Sequence, residues 1–183
     1  MSGDDDLVRL AASIEAAAVT ALTALFAGGI LARAPVGVRE VTGAALTSHR
    51  ACRDELNRHT TSPVLVAPDD VVGRLGLGSA DAVRDLSGVL AIAVNVDDVL
   101  TQTCVQSVPK VSDPDLRALL ATVAVAAGRR LGALRTLAAI PPGELALALG
   151  RVVHPTVLGS GAGAAGAPAA FVATSAALTP ETP

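Results

Sequence analysis

Four helix-length stretches of this chain carry an apolar stripe at steps of three and four, and each stripe is broken near its middle by polar residues or by a small one. In the first, Val8, Ala11, Glu15, Ala18, Leu22 and Leu25 share a face, with Glu15 the interruption. The second reads Val38, Val41, Ala45, His49, Cys52 and Leu56, and is interrupted by His49 and Cys52. The third reads Val83, Leu86, Leu90, Ala93, Asp97, Leu100 and Cys104, with Asp97 at its centre. The fourth reads Leu116, Leu120, Val123, Ala127, Arg130, Leu134 and Leu137, with Ala127 and Arg130 at mid-stripe. A chain with four such stripes can bury them only against one another, so the expected class is all-α.

The core those stripes would make is unusual in its materials. Hydrophobic residues form 51% of the 183-residue chain and aromatics 1%, without Trp or Tyr, so Ala, Val and Leu must fill it and the helices must pack closely. A formal charge of -3 and a pI near 5.5 leave no basic footprint for nucleic acid. The acidic start, Asp4-Asp5-Asp6, reads as a solvated flank. Cys52 and Cys104 do not make a disulfide framework in a chain of this length and read as small buried hydrophobes. A mean hydropathy of +0.53 raises the membrane question. The uncharged apolar run of residues 16–32 is shorter than a typical span and holds Gly28-Gly29, and no basic region precedes it. The expectation is a cytoplasmic, soluble protein.

The helices are expected at residues 5–31, from Pro35 to near His59, from a Ser79 cap to Pro109, and from a Ser112 cap to Pro141-Pro142. The connection of about twenty residues from Thr60 to Gly78 is long for a compact domain. It is explained if the second and third helices run the same way, so that the link returns along the whole length of a four-helix bundle. The domain reading is a bundle over residues 1–142. A short helix and a weakly ordered Gly/Ala/Pro-rich C-terminal tail follow over 143–183, with Phe171-Val172 as the tail's apolar patch.

A central acid on the first and third helices, and a pair three residues apart on the second and fourth, would bring all four stripe centres to one level, the layout of a di-metal bundle. The segments that carry the likeness are Ser13-Ile14-Glu15-Ala16-Ala17-Ala18-Val19, His49-Arg50-Ala51-Cys52 continuing to Asn57, Val96-Asp97-Asp98-Val99 leading to Thr103, and Ala127-Gly128-Arg129-Arg130. With them the chain resembles the ferritin-like superfamily over roughly residues 7–140. The resemblance implies the bundle fold and, in intact members, an iron pair that reacts with oxygen.

It also marks departures. Glu15 stands at the first-helix carboxylate and Asp97 at that of the third helix, one methylene shorter, with Asp98 beside it. His49 is retained, but Cys52 stands where a second ligand is expected, and helix four offers Ala127 and Arg130 in place of Glu and His. An arginine has no lone pair for a metal but can neutralise carboxylates. The expectation is a largely lost di-iron site with Arg130 as counter-ion, without cofactor or catalysis, in a protein that binds a protein partner or forms a homo-oligomer. Two alternatives remain. In one, Glu15, His49, Cys52 and Asp97 hold a single iron or zinc ion; in the other the protein is structural or membrane-peripheral.

Overall fold

The computed structural model describes residues 2–77, 83 and 85–139. Among them the fold is all-α: α1 (Ser2–Ala27), α2 (Val36–Arg58), a short α3 (Asp69–Arg74), α4 (Leu86–Ser107) and α5 (Pro114–Ala138). Single 3-10 turns lie at Leu31–Arg33 and Val108–Lys110. The tail at 143–183, Phe171 included, and the proposed boundary at 142 lie outside the described residues.

The helix ends follow local chemistry. α1 stops at Ala27 rather than 31, because Gly29 takes φ 79°, a left-handed conformation that ends a helix cheaply only at glycine. Pro35 precedes α2 as its N-cap. The Ser79 cap lies outside the described residues; α4 begins at Leu86, where the Asp85 carboxylate accepts the Gly88 amide at 2.8 Å. α5 is capped by Asp113 rather than Ser112. The Asp113 carboxylate accepts the amides of Asp115 and Leu116, while Pro114 fills the first helical position, where no N–H is needed. The long connection holds α3, which is six residues long.

Hydrogen bonds fix the directions. Asp5, in the first turn of α1, accepts the Thr61 amide and hydroxyl, both at 2.9 Å, just past the end of α2. Asp4 accepts the amides of Ser112 and Asp113 at 3.0 Å, beyond α4 and at the cap of α5. α1 therefore runs against α2 and α4 and alongside α5, so α2 and α4 point the same way. This corrects the reading of Asp4 and Asp5 as a solvated flank. They tie the first turn of the chain to both connections at that end.

α1 packs on α2 and α4, and α5 packs on α4 and α2. The stripe residues are buried except at the edges, where Cys52, Val83, Leu86 and Leu116 are half-buried. α1 goes further, since every residue from 10 to 19 is buried, including Leu10 and Ala17 on the side away from Glu15. The connection helps to cover it: Ala67, Val71, Leu75 and Leu77 join the cluster that holds the first half of α1. Gly3–Ala27 and Leu86–Lys110 are long and apolar enough to cross a membrane, and 67% and 61% of their most apolar windows are buried inside the fold. Core helices show such burial.

The core divides into two apolar clusters. One gathers the first half of α1, the connection, the later half of α4 and the earlier half of α5. The other gathers the later part of α1, the start of α2, the start of α4 and the end of α5. Glu15, His49, Asp97 and Arg130 lie between them.

The Asp4 clasp has a pH signature. The amides of Ser112 and Asp113, helped by Arg117, hold the Asp4 carboxyl below its ordinary value of 3.8. A depressed carboxyl pKa stabilises the fold fully above that ordinary value, and the stabilisation disappears as pH falls through the folded-state value. Thermal melts of Asp4→Asn are expected to lie below wild type at neutral pH, and the two are expected to converge below about pH 3.8. Parallel curves across the whole range would remove the clasp.

Candidate functional site

Each of the four long helices contributes one ionisable side chain to a buried polar layer. Glu15 and Asp97 have no exposed surface, His49 is 1% exposed and Arg130 3%. Their mutual contacts set them at one level, as the stripe centres predict.

Within each helix pair an acid meets a base. His49 Nδ1 lies 2.5 Å from Glu15 Oε2 across α1 and α2. Across α4 and α5, Arg130 Nε donates to Asp97 Oδ1 at 2.9 Å, and Nη2 lies 2.8 Å from the same oxygen as an ion pair. Cross-contacts join the pairs: Arg130 Nη2 reaches Glu15 Oε1 at 3.4 Å, and His49 Nε2 lies 3.8 Å from Asp97 Oδ1. The remaining arm of the guanidinium, Nη1, donates to Ser48 Oγ at 2.7 Å and lies 3.9 Å from Cys52 Sγ. Ser48 is a member that the stripe pattern does not select. It precedes His49 on a half-buried position, and a short polar residue beside a stripe centre is the only sequence signal for it.

Two carboxylates face one permanent cation, and one further proton would make the layer neutral. Burial, reinforced by the Glu15 charge, pushes the Asp97 carboxyl above its ordinary value, although His49 and Arg130 pull against it. Burial would lower the Arg130 pKa, but the charges of Asp97 and Glu15 outweigh it and raise it, so the guanidinium stays charged. Burial also raises both thiols, Cys52 with Glu15 adding to the effect and Cys104 further still. Neither is a ready thiolate.

The sequence-derived ligands are thus brought together, but not around a common point. The two ring nitrogens of His49 face different carboxylates, and a metal on either would have to displace one of those contacts. Arg130 occupies the space between Asp97 and Glu15. Cys52 sits at the rim, half-buried, against Arg130 Nη1. Among the described residues, no group of three or more His, Cys, Asp and Glu is arranged to hold a metal ion. The arrangement does not fit a metal pair. Asp97 Oδ2 is buried without a hydrogen-bond partner. Asp98, an alternative acid by sequence, is turned away from the layer and pairs with Arg135 at 3.3 Å.

Comparison of the chain with protein-family models, curated proteins and solved structures finds no match.

The layer predicts a large mutational effect. Arg130→Met leaves Glu15 and Asp97 buried without their guanidinium and is expected to cost roughly 3–5 kcal/mol in urea unfolding. Adding Glu15→Gln and Asp97→Asn to Arg130→Met is expected to recover much of that loss, because the uncompensated charges go too. Wild-type stability in Arg130→Met would show that the guanidinium is not what neutralises the layer.

Proposed function

We propose that the protein is a ferritin-like four-helix bundle, with a long crossover between its second and third long helices, in which a resident guanidinium stands where a metal pair would be held. On this reading it does not catalyse oxidation and acts by binding a protein partner or assembling with itself. The observation that carries it is the bonding of Arg130: hydrogen bonds to Asp97, Glu15 and Ser48 and a second ion-pair contact with Asp97, from a side chain 3% exposed at the centre of four helices. Such a cation supplies the charge that a metal would supply, without coordination sites or redox chemistry. The adjacent Leu65 and Val66, 69% and 78% exposed on the connection, support the binding half of the reading.

The single-metal reading, with iron or zinc on Glu15, His49, Cys52 and Asp97, has one observation in its favour, the unpartnered buried oxygen of Asp97. The membrane-peripheral reading asks for an exposed face at 16–32. Ala16, Ala17, Ala18, Leu22 and Leu25 are buried, and the exposed side of this segment, Thr20, Thr23, Ala24 and Ala27, carries small or polar side chains and no large apolar one.

Metal content separates the first two. After anaerobic incubation with iron, manganese and zinc and then desalting, plasma mass spectrometry is expected to find no stoichiometric metal in the wild type. The Ala127→Glu/Arg130→His double variant, which rebuilds a Glu and a His three residues apart, is expected to retain metal and acts as the positive control. About one metal per wild-type chain, lost in His49→Ala/Cys52→Ala, would overturn the guanidinium reading in favour of a metalloprotein.

A further inference from the structure

We infer that the protein associates with a second copy of itself through opposite ends of the bundle, with Leu65, Val66, Asp69 and Asp70 of one copy meeting Arg33, Val36 and Arg39 of the other. The inference rests on the assembly half of the reading above and names its partner. The first patch lies just past the end of α2. Asn57 holds Val64 there: the Val64 amide donates to Oδ1 at 2.8 Å, and Nδ2 donates to the Val64 carbonyl at 3.0 Å. Leu65 and Val66 follow, 69% and 78% exposed, and Asp69 and Asp70, both exposed, open α3. The second patch lies where α2 begins. Val36, the first residue of that helix, is 59% exposed. Arg33 ends the preceding 3-10 turn and Arg39 stands in the first turn of α2, with Nη1 donating to the Ala32 carbonyl at 3.4 Å; both arginines are exposed. Glu40 is the only acid in residues 28–53, so this patch keeps a net positive charge.

The charges follow the long axis of the bundle. At the end where α1 and α5 begin, Asp6, Asp113 and Asp115 are exposed in addition to Asp69 and Asp70. Arg9, Arg58, Lys110 and Arg117 oppose them, and two of these are engaged, Arg58 with Glu55 and Arg117 with the Val111 carbonyl. α2 has 23 residues, so about 33 Å separates the two patches at a rise of 1.5 Å per residue. They cannot meet within one molecule. Between molecules, each patch offers apolar side chains flanked by charge of the sign the other lacks, which is the complementarity that steers and orients association. Two copies lying antiparallel make the contact twice, once at each end, and so form a closed two-fold pair. Exposed ion pairs contribute little one by one, so Val36, Leu65 and Val66 supply adhesion while the charges select partner and orientation.

Sedimentation velocity of the full chain over a range of concentrations tests it, at low ionic strength and at about 1 M salt, where the Debye length falls to about 3 Å. The wild type is expected to dimerise at low ionic strength, with a dissociation constant that rises roughly tenfold or more at high salt. Asp69→Lys/Asp70→Lys and Arg33→Glu/Arg39→Glu are each expected to sediment as monomers, because each variant carries like charge on both patches. Their equimolar mixture is expected to dimerise again, since opposite charges then face each other at both contacts, and that recovery also shows both variants to be folded. Leu65→Ser/Val66→Ser is expected to weaken the dimer and to leave its salt dependence in place. A wild type that stays monomeric at every concentration and salt overturns the inference, as does association that survives both charge reversals or a mixture that stays monomeric. Such a result leaves the guanidinium reading standing, because metal content decides that reading and assembly does not.

Discussion

The guanidinium of Arg130 is the contact on which the rest of the molecule depends. Two carboxylates buried at the centre of an Ala/Val/Leu core are tolerable only if opposite charge is built in beside them. Arg130 supplies that charge from a third helix, in contact with both acids and with Ser48. The two apolar clusters on either side can then be largely hydrocarbon packing, because most of the buried charge is confined to one layer, Asp98 with its partner Arg135 lying outside it. The layer also fixes register: each long helix has one residue that must sit at that level, and a slip of one turn would leave a charge facing alanine or leucine.

The same layer accounts for what could be read in the chain and what could not. Stripe positions on all four helices are legible because a period near 3.6 records burial directly, and Glu15, His49, Asp97 and Arg130 stand out as polar residues on apolar faces. The antiparallel and parallel directions were legible indirectly, through the length of the connection. The all-round burial of α1 was not, since it depends on a connection whose α3 is too short to show a period. Nor were the roles of Asp4 and Asp5. Their partners at Ser112, Asp113 and Thr61 are distant in sequence, and a local reading of three aspartates at a terminus sees only charge. Cys52 illustrates a smaller limit: spacing put it on the stripe, but the stripe's edge is half-exposed, and there the thiol touches Arg130 rather than joining a ligand set.

Helix boundaries failed where two signals competed. Asp113 displaced Ser112 as the cap of α5 because the proline after it already fills the first helical position, and a carboxylate can take two free amides there. Gly29 ended α1 four residues early, since its left-handed backbone is cheaper than continuing the helix through two glycines.

The polar layer also sets an order on how the chain can be made. Glu15 and its guanidinium partner are 115 positions apart. At a ribosomal rate of 5–20 residues per second, roughly ten seconds separate their synthesis. Through that interval the nascent chain holds an α1 whose residues 10–19 are meant to be covered on every side, and it has no arginine for its central acid. The core cannot close until α5 has left the exit tunnel. Until then α1 is a long apolar segment of the kind that holdase chaperones bind, which makes biogenesis, rather than the finished fold, the stage at which this protein is most exposed to aggregation.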